Sequence, residues 1–181
     1  MAQFRRSQKL ALIVVGLTLN LGLGFLVSAL KLPFYLDTIG TILVTYYGGL
    51  DVGIIVAIAT MSLGSLYSPT DWAYIPTAIA VAIFVRFTRP IGYLVKVLPT
   101  ALLGLALGVV CALISAPITV FAFGGMSTAG ADYLTAAFHA LGKTIANSVI
   151  LGGLASDPVD KLFTSLISLA IVRRMPNLWQ S

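Results

Sequence analysis

Charged side chains are scarce in this 181-residue sequence, and glutamate is absent. Only 9% of the residues are charged, against roughly 25% in an average soluble chain, and all six acidic residues are aspartates. Hydrophobic residues make up 59% of the sequence, and the mean hydropathy is +1.01. This composition excludes a soluble globular domain and predicts an integral membrane protein.

Histidine and cysteine each occur once, which removes several kinds of chemistry. His139 alone cannot form a multi-histidine metal site, and Cys111 alone can form neither an internal disulfide nor a cysteine-rich metal site. Motifs of the P-loop, H-E-x-x-H and G-x-S-x-G types are also absent. We therefore expect no enzyme activity, metal or cofactor in this chain.

Alternating β-strand patterns are missing too, whereas apolar runs recur along the whole chain. A transmembrane helix needs about 20 apolar residues, because its backbone polar groups must be bonded inside the helix when lipid surrounds it. Predicted helices lie at about 9–30, 37–47, 51–67, 73–87, 94–120, 131–152 and 158–175. These stretches allow six or seven membrane crossings.

The basic residues favour six crossings. Eight of the eleven collect at 5–9, 86–96 and 173–174, at the ends of apolar runs rather than on one polar face, so nucleic acid is not an expected partner. Lysine and arginine concentrate in cytoplasmic loops. Six crossings with a cytoplasmic N-terminus place all three groups and the C-terminus in the cytoplasm, whereas a seventh would carry 173–174 outside.

The fold predicted from these patterns is a single transmembrane domain over residues 1–181. It is an all-α integral membrane protein, a bundle of about six transmembrane helices with an additional re-entrant or interfacial helix. We assign the additional helix to 131–152, because this stretch carries several polar residues. Alternatively, 131–152 spans the membrane and the final basic helix lies at the interface.

A polar helix and three loops on one side of the membrane form a candidate ligand site. Helix 131–152 would present polar residues at four-residue spacing along one side, and ionisable groups at membrane depth usually face a cavity or a partner. The loop between the first two spans adds Lys31, Phe34, Tyr35 and Asp37, and the loop between the third and fourth adds Tyr67, Asp71, Trp72 and Tyr74. The third loop is 123–132. The predicted ligand-binding residues are Asp37, Asp71, Trp72, Asp132, His139, Lys143 and Asn147. The alternatives are snorkelling of the polar helix to the headgroups and an interfacial aromatic belt.

Two further aspartates, Asp157 and Asp160, flank Pro158 at a predicted helix start. Carboxylates at that position are stabilised by the N-terminal helix dipole, so we interpret both as capping residues. With that interpretation, none of the clear spans carries an acid in its middle. A carboxylate relay for protons or sodium then has no candidate.

Small residues recur at every fourth position in two predicted helices, and such stripes let helix backbones approach closely. The stripe in the fifth helix consists of Gly104, Gly108, Ala112 and Ala116. The stripe in the first helix consists of Gly16, Asn20, Gly24 and Ser28. Both fit packing within the bundle. The alternative is that one stripe, by preference the first, is a partner-docking surface for another membrane protein.

Three segments carry a family resemblance, namely LPFYLDTIGT at 32–41, SAPITVFAFGG at 115–125 and SDPVDKL at 156–162. They resemble the substrate-binding S components of energy-coupling factor (ECF) transporters, and the resemblance extends over about 9–175. It implies a six-helix bundle in the plasma membrane of a prokaryote, which captures a vitamin or similar micronutrient from outside.

The resemblance also implies partners. S components dock on a transmembrane coupling protein that is driven by two cytoplasmic ATPases, so the partner subunits, not this chain, would use ATP. Family docking uses small residues, typically alanines, at four-residue spacing on the first helix. The stripe of Gly16, Asn20, Gly24 and Ser28 matches this spacing, with other small residues in place of alanine.

Two rival functions remain open from the sequence. A membrane sensory or adaptor module could bind a small ligand in the same bundle and signal its presence without transporting it. An intramembrane enzyme acting on a lipid could use Asp157, Asp160 and His139 as its polar centre. The substrate-binding subunit is the function we expect, because the chain shows a polar site but no catalytic motif.

Overall fold

Helices are the only regular elements in the part of the chain that the computed structural model describes, residues 5–30, 32, 34–127 and 132–175. Seven α-helices and two 3₁₀ turns occur in these residues. The helices are α1 (Arg6–Ala29), α2 (Ile39–Gly48), α3 (Leu50–Gly64), α4 (Ile75–Thr88), α5 (Val97–Phe123), α6 (Asp132–Ala140) and α7 (Ile145–Arg174). The 3₁₀ turns, Asp71–Tyr74 and Arg89–Ile91, flank α4 directly.

Three helical segments are long and apolar enough to cross a membrane, Arg6–Ala29, Asp71–Ile91 and Val97–Phe123. Large apolar side chains on their outer surfaces are exposed, including Val14, Phe25, Leu102 and Leu113, as expected where lipid replaces water. The all-α architecture of a membrane protein is therefore confirmed. The count of six crossings stays a prediction, because α2 and α3 have only 10 and 15 residues.

Helix α2 lies at the centre of the bundle. Its residues from 39 to 45 are all buried, and it contacts α1, α3, α4 and α7. A helix that is apolar all round needs such a position. The interruption predicted between 47 and 51 is confirmed, because α2 ends at Gly48 and α3 begins at Leu50, with Gly49 at a φ of +100° that glycine adopts without a steric cost.

The first half of the small-residue stripe of α1, Gly16 and Asn20, faces α2. A Cβ at Gly40 would overlap the backbone of Gly16, so the two helices approach to backbone contact there. Asn20 is fully buried, and its amide donates to the hydroxyls of Thr41 (2.9 Å) and Thr60 (3.0 Å) and accepts from the backbone of Gly40 (2.6 Å).

Only part of the docking surface predicted on α1 is open to a partner, and docking itself stays a prediction. Gly16 and Asn20 are buried within the bundle, and Gly24 faces the Tyr67 hydroxyl and Asp37. Ser28 is exposed and lies on the wall of a cavity that is described below. The four-residue spacing therefore marks a helix contact with α2 and α3 in its first half and the edge of the cavity in its second half.

Helices α5 and α7 form the most extensive helix pair in the bundle. A Cβ at Gly104 would lie 2.9 Å from the Ser165 hydroxyl and 3.0 Å from the Lys161 carbonyl oxygen, and a Cβ at Gly108 would overlap Pro158. The stripe in α5 that also contains Ala112 and Ala116 therefore serves helix packing, as predicted.

The C-terminal third differs from the prediction. The stretch 131–152 is not one helix, because α6 ends at Ala140 and α7 begins at Ile145, with Gly142 at a φ of +84° between them. With nine residues, α6 is too short to span a membrane. Residues 128–131 of the predicted third loop, like Lys31, lie outside the described residues.

Contacts among the basic groups show that they share one end of the bundle, here called the basic end. Lys9 pairs with Asp51 at 2.6 Å, Arg89 stacks on the ring of Tyr46 at 4.7 Å, and Arg173 donates to the carbonyl of Val95. Their common location agrees with the charge pattern. That this end is cytoplasmic stays a prediction.

Candidate functional site

A cavity of about 470 Å³ lies between the helices at the end opposite the basic end. Six helices, α1 and α3 to α7, contribute to its wall, together with the segments that precede α2 and α4. Val81 of α4, Cys111 of α5 and Lys161 of α7 are among the most buried residues of its wall. The volume is within the range of small-molecule sites, which hold about 300–1,000 Å³.

Carboxylates dominate the charge of this cavity. Among the described residues that line it, the acidic ones are Asp37, Asp71, Asp132 and Asp157, and the basic one is Lys161. A further carboxylate, Asp160, is fully buried behind Lys161. Five of the six aspartates of the chain thus lie at or beside one cavity.

Asp160 is held by contacts to both of its oxygens. One oxygen lies 2.6 Å from the Lys161 ammonium, and the other accepts hydrogen bonds from the backbone N–H groups of Tyr35 (2.9 Å) and Leu36 (3.0 Å). A buried carboxylate needs such compensation, because burial of an unpaired charge is costly. The contacts fasten the segment before α2 to the middle of α7.

Lys161 also contacts the segment before α2. Its ammonium donates to the Thr38 hydroxyl at 3.2 Å, lies 3.9 Å from the Asp37 carboxylate and sits 5.7 Å from the ring centre of Tyr35. Burial raises the pKa of Asp37 to about 6, and the nearby Asp160 and Asp71 add to the rise, which Lys161 opposes. Asp37 is thus a carboxylate that loses its charge not far below neutral pH.

Tyrosines supply most of the aromatic wall. Tyr74 stacks on Phe123 and shares a hydrogen bond of 2.8 Å with Thr119, while Tyr67 packs edge-on against Phe25. Burial, with help from Asp71 and Asp37, raises the pKa of Tyr67 to about 12, so its hydroxyl stays protonated. Protonated tyrosines offer a ligand both a ring face and a hydrogen-bond donor.

Hydrogen bonds tie the remaining cavity segments together. Ser68 donates to Asp71 at 2.5 Å, and Thr70 donates to the carbonyl of Ser127 at 2.7 Å. The backbone N–H of Ser127 in turn donates to Asp132 at 2.8 Å. The segment before α4, the end of α5 and the start of α6 therefore form one connected rim.

Thr77 is the one hydroxyl of the cavity wall that is buried and has no hydrogen-bond partner among the described residues. A buried polar atom without a partner costs free energy, so its place on a cavity wall suits a group that receives its partner from a ligand. It lies on α4, one turn before Val81, which also lines the cavity.

Three of the seven predicted ligand-binding residues line the cavity, Asp37, Asp71 and Asp132. Trp72 is 60% exposed and is not among the residues of the wall.

His139, Lys143 and Asn147 are exposed as well. The turn between α6 and α7 separates His139 from Asn147, so the three residues do not lie on one helix. His139 instead contacts the backbone carbonyl of Lys143 through Nδ1 at 2.9 Å. The predicted polar face along one helix is therefore wrong.

The capping interpretation of Asp157 and Asp160 is also wrong, because both lie in the middle of α7. Pro158 suggested a helix start, but α7 begins at Ile145 and continues through the proline. The signal that identifies these residues is their spacing, since Asp157 and Lys161 are four apart and share a helix face. An acid in the middle of a helix is thus present after all.

Two groupings that a catalytic or metal site would use are not found among the described residues. No group of three or more His, Cys, Asp or Glu side chains among them is arranged to hold a metal ion. His139, which the lipid-enzyme hypothesis requires beside Asp157, is not on the cavity wall. Comparison of the chain with protein-family models, curated proteins and solved structures gave no match.

Proposed function

We propose that this chain is the membrane-embedded substrate-binding subunit of an ECF-type uptake system for a vitamin or similar micronutrient. The observation that carries the proposal is that the three segments which resemble S components meet at one cavity. Tyr35 and Leu36 of 32–41 donate to Asp160 of 156–162, and Ser115 and Thr119 of 115–125 line the same space.

The distribution of charge supports an orientation for this function. In the proposed arrangement the basic end faces the cytoplasm and the cavity end faces outward, as the positive-inside rule expects. Substrate would then enter from outside, where the segments before α2 and α4 lie over the cavity. Hand-over to the cytoplasm would need a transmembrane coupling protein and ATPases as partners, because this sequence contains no P-loop.

Ligand binding is the first test. The detergent-purified protein is screened by thermal unfolding against vitamins and their precursors, since a ligand that binds only the folded state raises the melting temperature. Ser115→Phe and Ala78→Leu, which fill the cavity from α5 and α4, should abolish the shift. Leu113→Phe on the exposed side of α5 should retain it.

Two results would count against the proposal. If a compound stabilises the parent and both filled-cavity variants equally, binding occurs elsewhere. If no compound of the panel shifts a protein that is folded by circular dichroism, the substrate-binding function loses its basis.

Uptake distinguishes a transporter from a sensor. Accumulation of the labelled ligand is measured in cells that express the chain with and without the coupling module of its own host. ATP-dependent accumulation only in the presence of the module supports the proposal. Tight binding with no accumulation under either condition favours the sensory or adaptor module instead.

A further inference from the structure

We propose that the ligand of this cavity is a small organic cation, with a positively charged nitrogen next to a flat, mostly apolar ring. This inference rests on the proposed function, because it names the chemical class of the substrate of the same site. It follows from which charges in the cavity are compensated within the protein and which are not.

Lys161 is compensated within the protein and leaves no positive charge for an anionic ligand. Its ammonium lies 2.6 Å from Asp160 and 3.9 Å from Asp37. The side chain of Lys161 is 5% exposed, that of Asp160 is 0% exposed and that of Asp37 is 24% exposed. No second lysine or arginine occurs among the described residues of the wall. Among the described residues of the wall, a carboxylate or phosphate ligand would therefore meet several carboxylates and no unpaired cation.

Two of the lining carboxylates, Asp71 and Asp157, are hydrogen-bonded to neutral hydroxyl groups instead. Asp71 accepts from the hydroxyl of Ser68, and Asp157 accepts from the hydroxyl of Ser156 at 3.1 Å. Hydroxyl donors are neutral, so these hydrogen bonds orient the carboxylates without cancelling their charge. Like charges that share a poorly solvated space repel one another, and a bound cation would relieve that repulsion.

One side of the cavity combines charge with an aromatic ring. A Cβ at Gly24 would lie 3.1 Å from the Tyr67 hydroxyl and 3.4 Å from Asp37, and a Cβ at Gly64 would lie 2.8 Å from Asp71 and 3.6 Å from the same hydroxyl. Asp37, Tyr67 and Asp71 are thus neighbours. Carboxylates beside an aromatic ring are the groups that recognise organic ammonium and aromatic cations.

The remaining wall fits an uncharged ring. Ala78, Val81 and Met61 supply apolar contact, and the unpartnered Thr77 hydroxyl can exchange one hydrogen bond with a ring substituent. The described carboxylates are not grouped as metal ligands. A cation that carries its own apolar bulk fits this space better than a bare metal ion, which would leave most of the cavity unfilled.

Two sets of matched probes test the charge preference. The first is 1-methylnicotinamide (cation), nicotinamide (neutral) and nicotinate (anion), and the second is benzyltrimethylammonium, benzyl alcohol and benzoate. Each probe is added at millimolar concentration, and the melting temperature and dissociation constant are measured. We expect the cation of each set to bind at least about tenfold more tightly than its neutral partner, a difference of about 1.4 kcal/mol. We expect no binding of the anions.

Variants locate the effect. Asp37→Asn and Asp71→Asn should each weaken cation binding about tenfold and leave any binding of the neutral probes unchanged, since each removes one charge and little volume. Asp51→Asn at the basic end is the matched control and should have no effect, because Asp51 is 63% exposed and pairs with Lys9.

The proposal is overturned if neither cation binds better than its neutral and anionic partners, or if the aspartate variants bind the cations as well as the parent does. A neutral or anionic vitamin that binds in the cavity and is lost in Ser115→Phe would overturn the cation proposal alone. The uptake function would then still stand. Absence of binding by every compound counts against both proposals.

Discussion

Two lysine–aspartate pairs, one at the basic end and one in the middle of α7 beside the cavity, have the same distance of 2.6 Å and opposite surroundings. Lys9 and Asp51 at the basic end have side chains that are 38% and 63% exposed, whereas those of Lys161 and Asp160 beside the cavity are 5% and 0% exposed. Water screens the first pair, so its attraction contributes little. The second pair lacks water, and each partner depends on the other for compensation.

The buried pair has a second task that the exposed pair lacks. Asp160 also accepts from Tyr35 and Leu36, so loss of its charge disturbs the segment over the cavity as well as Lys161. The distance between the two charged groups alone therefore does not give the energetic role of an ion pair. Burial and additional hydrogen bonds decide it.

The largest effect is expected for Asp160→Asn. This change leaves the Lys161 ammonium buried without its close partner and should cost about 3 kcal/mol, which lowers the melting temperature by roughly 10 °C. Thermal unfolding in detergent measures it. A shift no larger than that of Asp51→Asn would show that the two pairs are equivalent and would contradict the comparison.

A somewhat smaller effect is expected for Gly40→Ala, which tests how the cavity end is held in place. The added Cβ would overlap the backbone of Gly16, so α1 and α2 must separate at a cost of about 2 kcal/mol. Gly22→Ala is the matched control, because nothing lies within 4 Å of its Cβ. Equal melting temperatures of the two variants would show that the close helix contact is absent.

Asp37→Asn should raise the stability of the ligand-free protein. Burial lifts the pKa of Asp37 to about 6, so the folded protein carries an ionised carboxylate at pH 7.5 at a cost that asparagine does not have. We expect a gain of about 1 kcal/mol together with weaker cation binding. A lower melting temperature at pH 7.5 would show that the contact with Lys161 outweighs burial.

Cation binding should depend on pH through the same carboxylate. Asp37 faces Lys161 and Asp160 of α7 and Asp71 before α4, and it takes up a proton as the pH falls through about 6. Affinity for 1-methylnicotinamide, whose charge does not change with pH, should therefore fall about threefold between pH 7.5 and 5.5. Asp37→Asn should flatten this dependence. A constant affinity in the parent would exclude Asp37 from the site.

The smallest effect is expected for Asp51→Asn. Exposed ion pairs contribute about 0–1 kcal/mol and are screened by salt, so the melting temperature should change by less than about 2 °C. Raising the salt concentration should remove even this change. A loss as large as that of Asp160→Asn would mean that the basic end also relies on its ion pair for stability.

Parts of the site could be predicted because they depend on local features of the chain. Asp37 and Asp71 each lie just before a helix of the bundle, and loops of this kind gather at an end of a bundle, where they line a cavity. Asp157 and Lys161 could not be found in this way. Pro158 between them is common at helix starts, but α7 continues through it, and Pro158 packs closely against Gly108 of α5.

The amino-acid sequence by itself determined the class of the protein. Scarce charge and long apolar runs leave a helical membrane protein as the solution, because backbone groups in lipid must be bonded within their own segment. Local sequence patterns also predicted the interruption around Gly49 and the position of the basic groups at 5–9, 86–96 and 173–174 at helix ends.

Tertiary structure decided which way each helix face points. Periodicity identifies residues that share a face, such as Gly16 and Asn20, but it does not say whether that face meets α2 or another protein. Likewise, Asp160 at a helix start would be a solvated cap, and the same residue in the middle of α7 is the buried partner of Lys161. Burial depends on elements far apart in the chain, because Asp160 meets residues 35 and 36, which precede it by 125 and 124 positions.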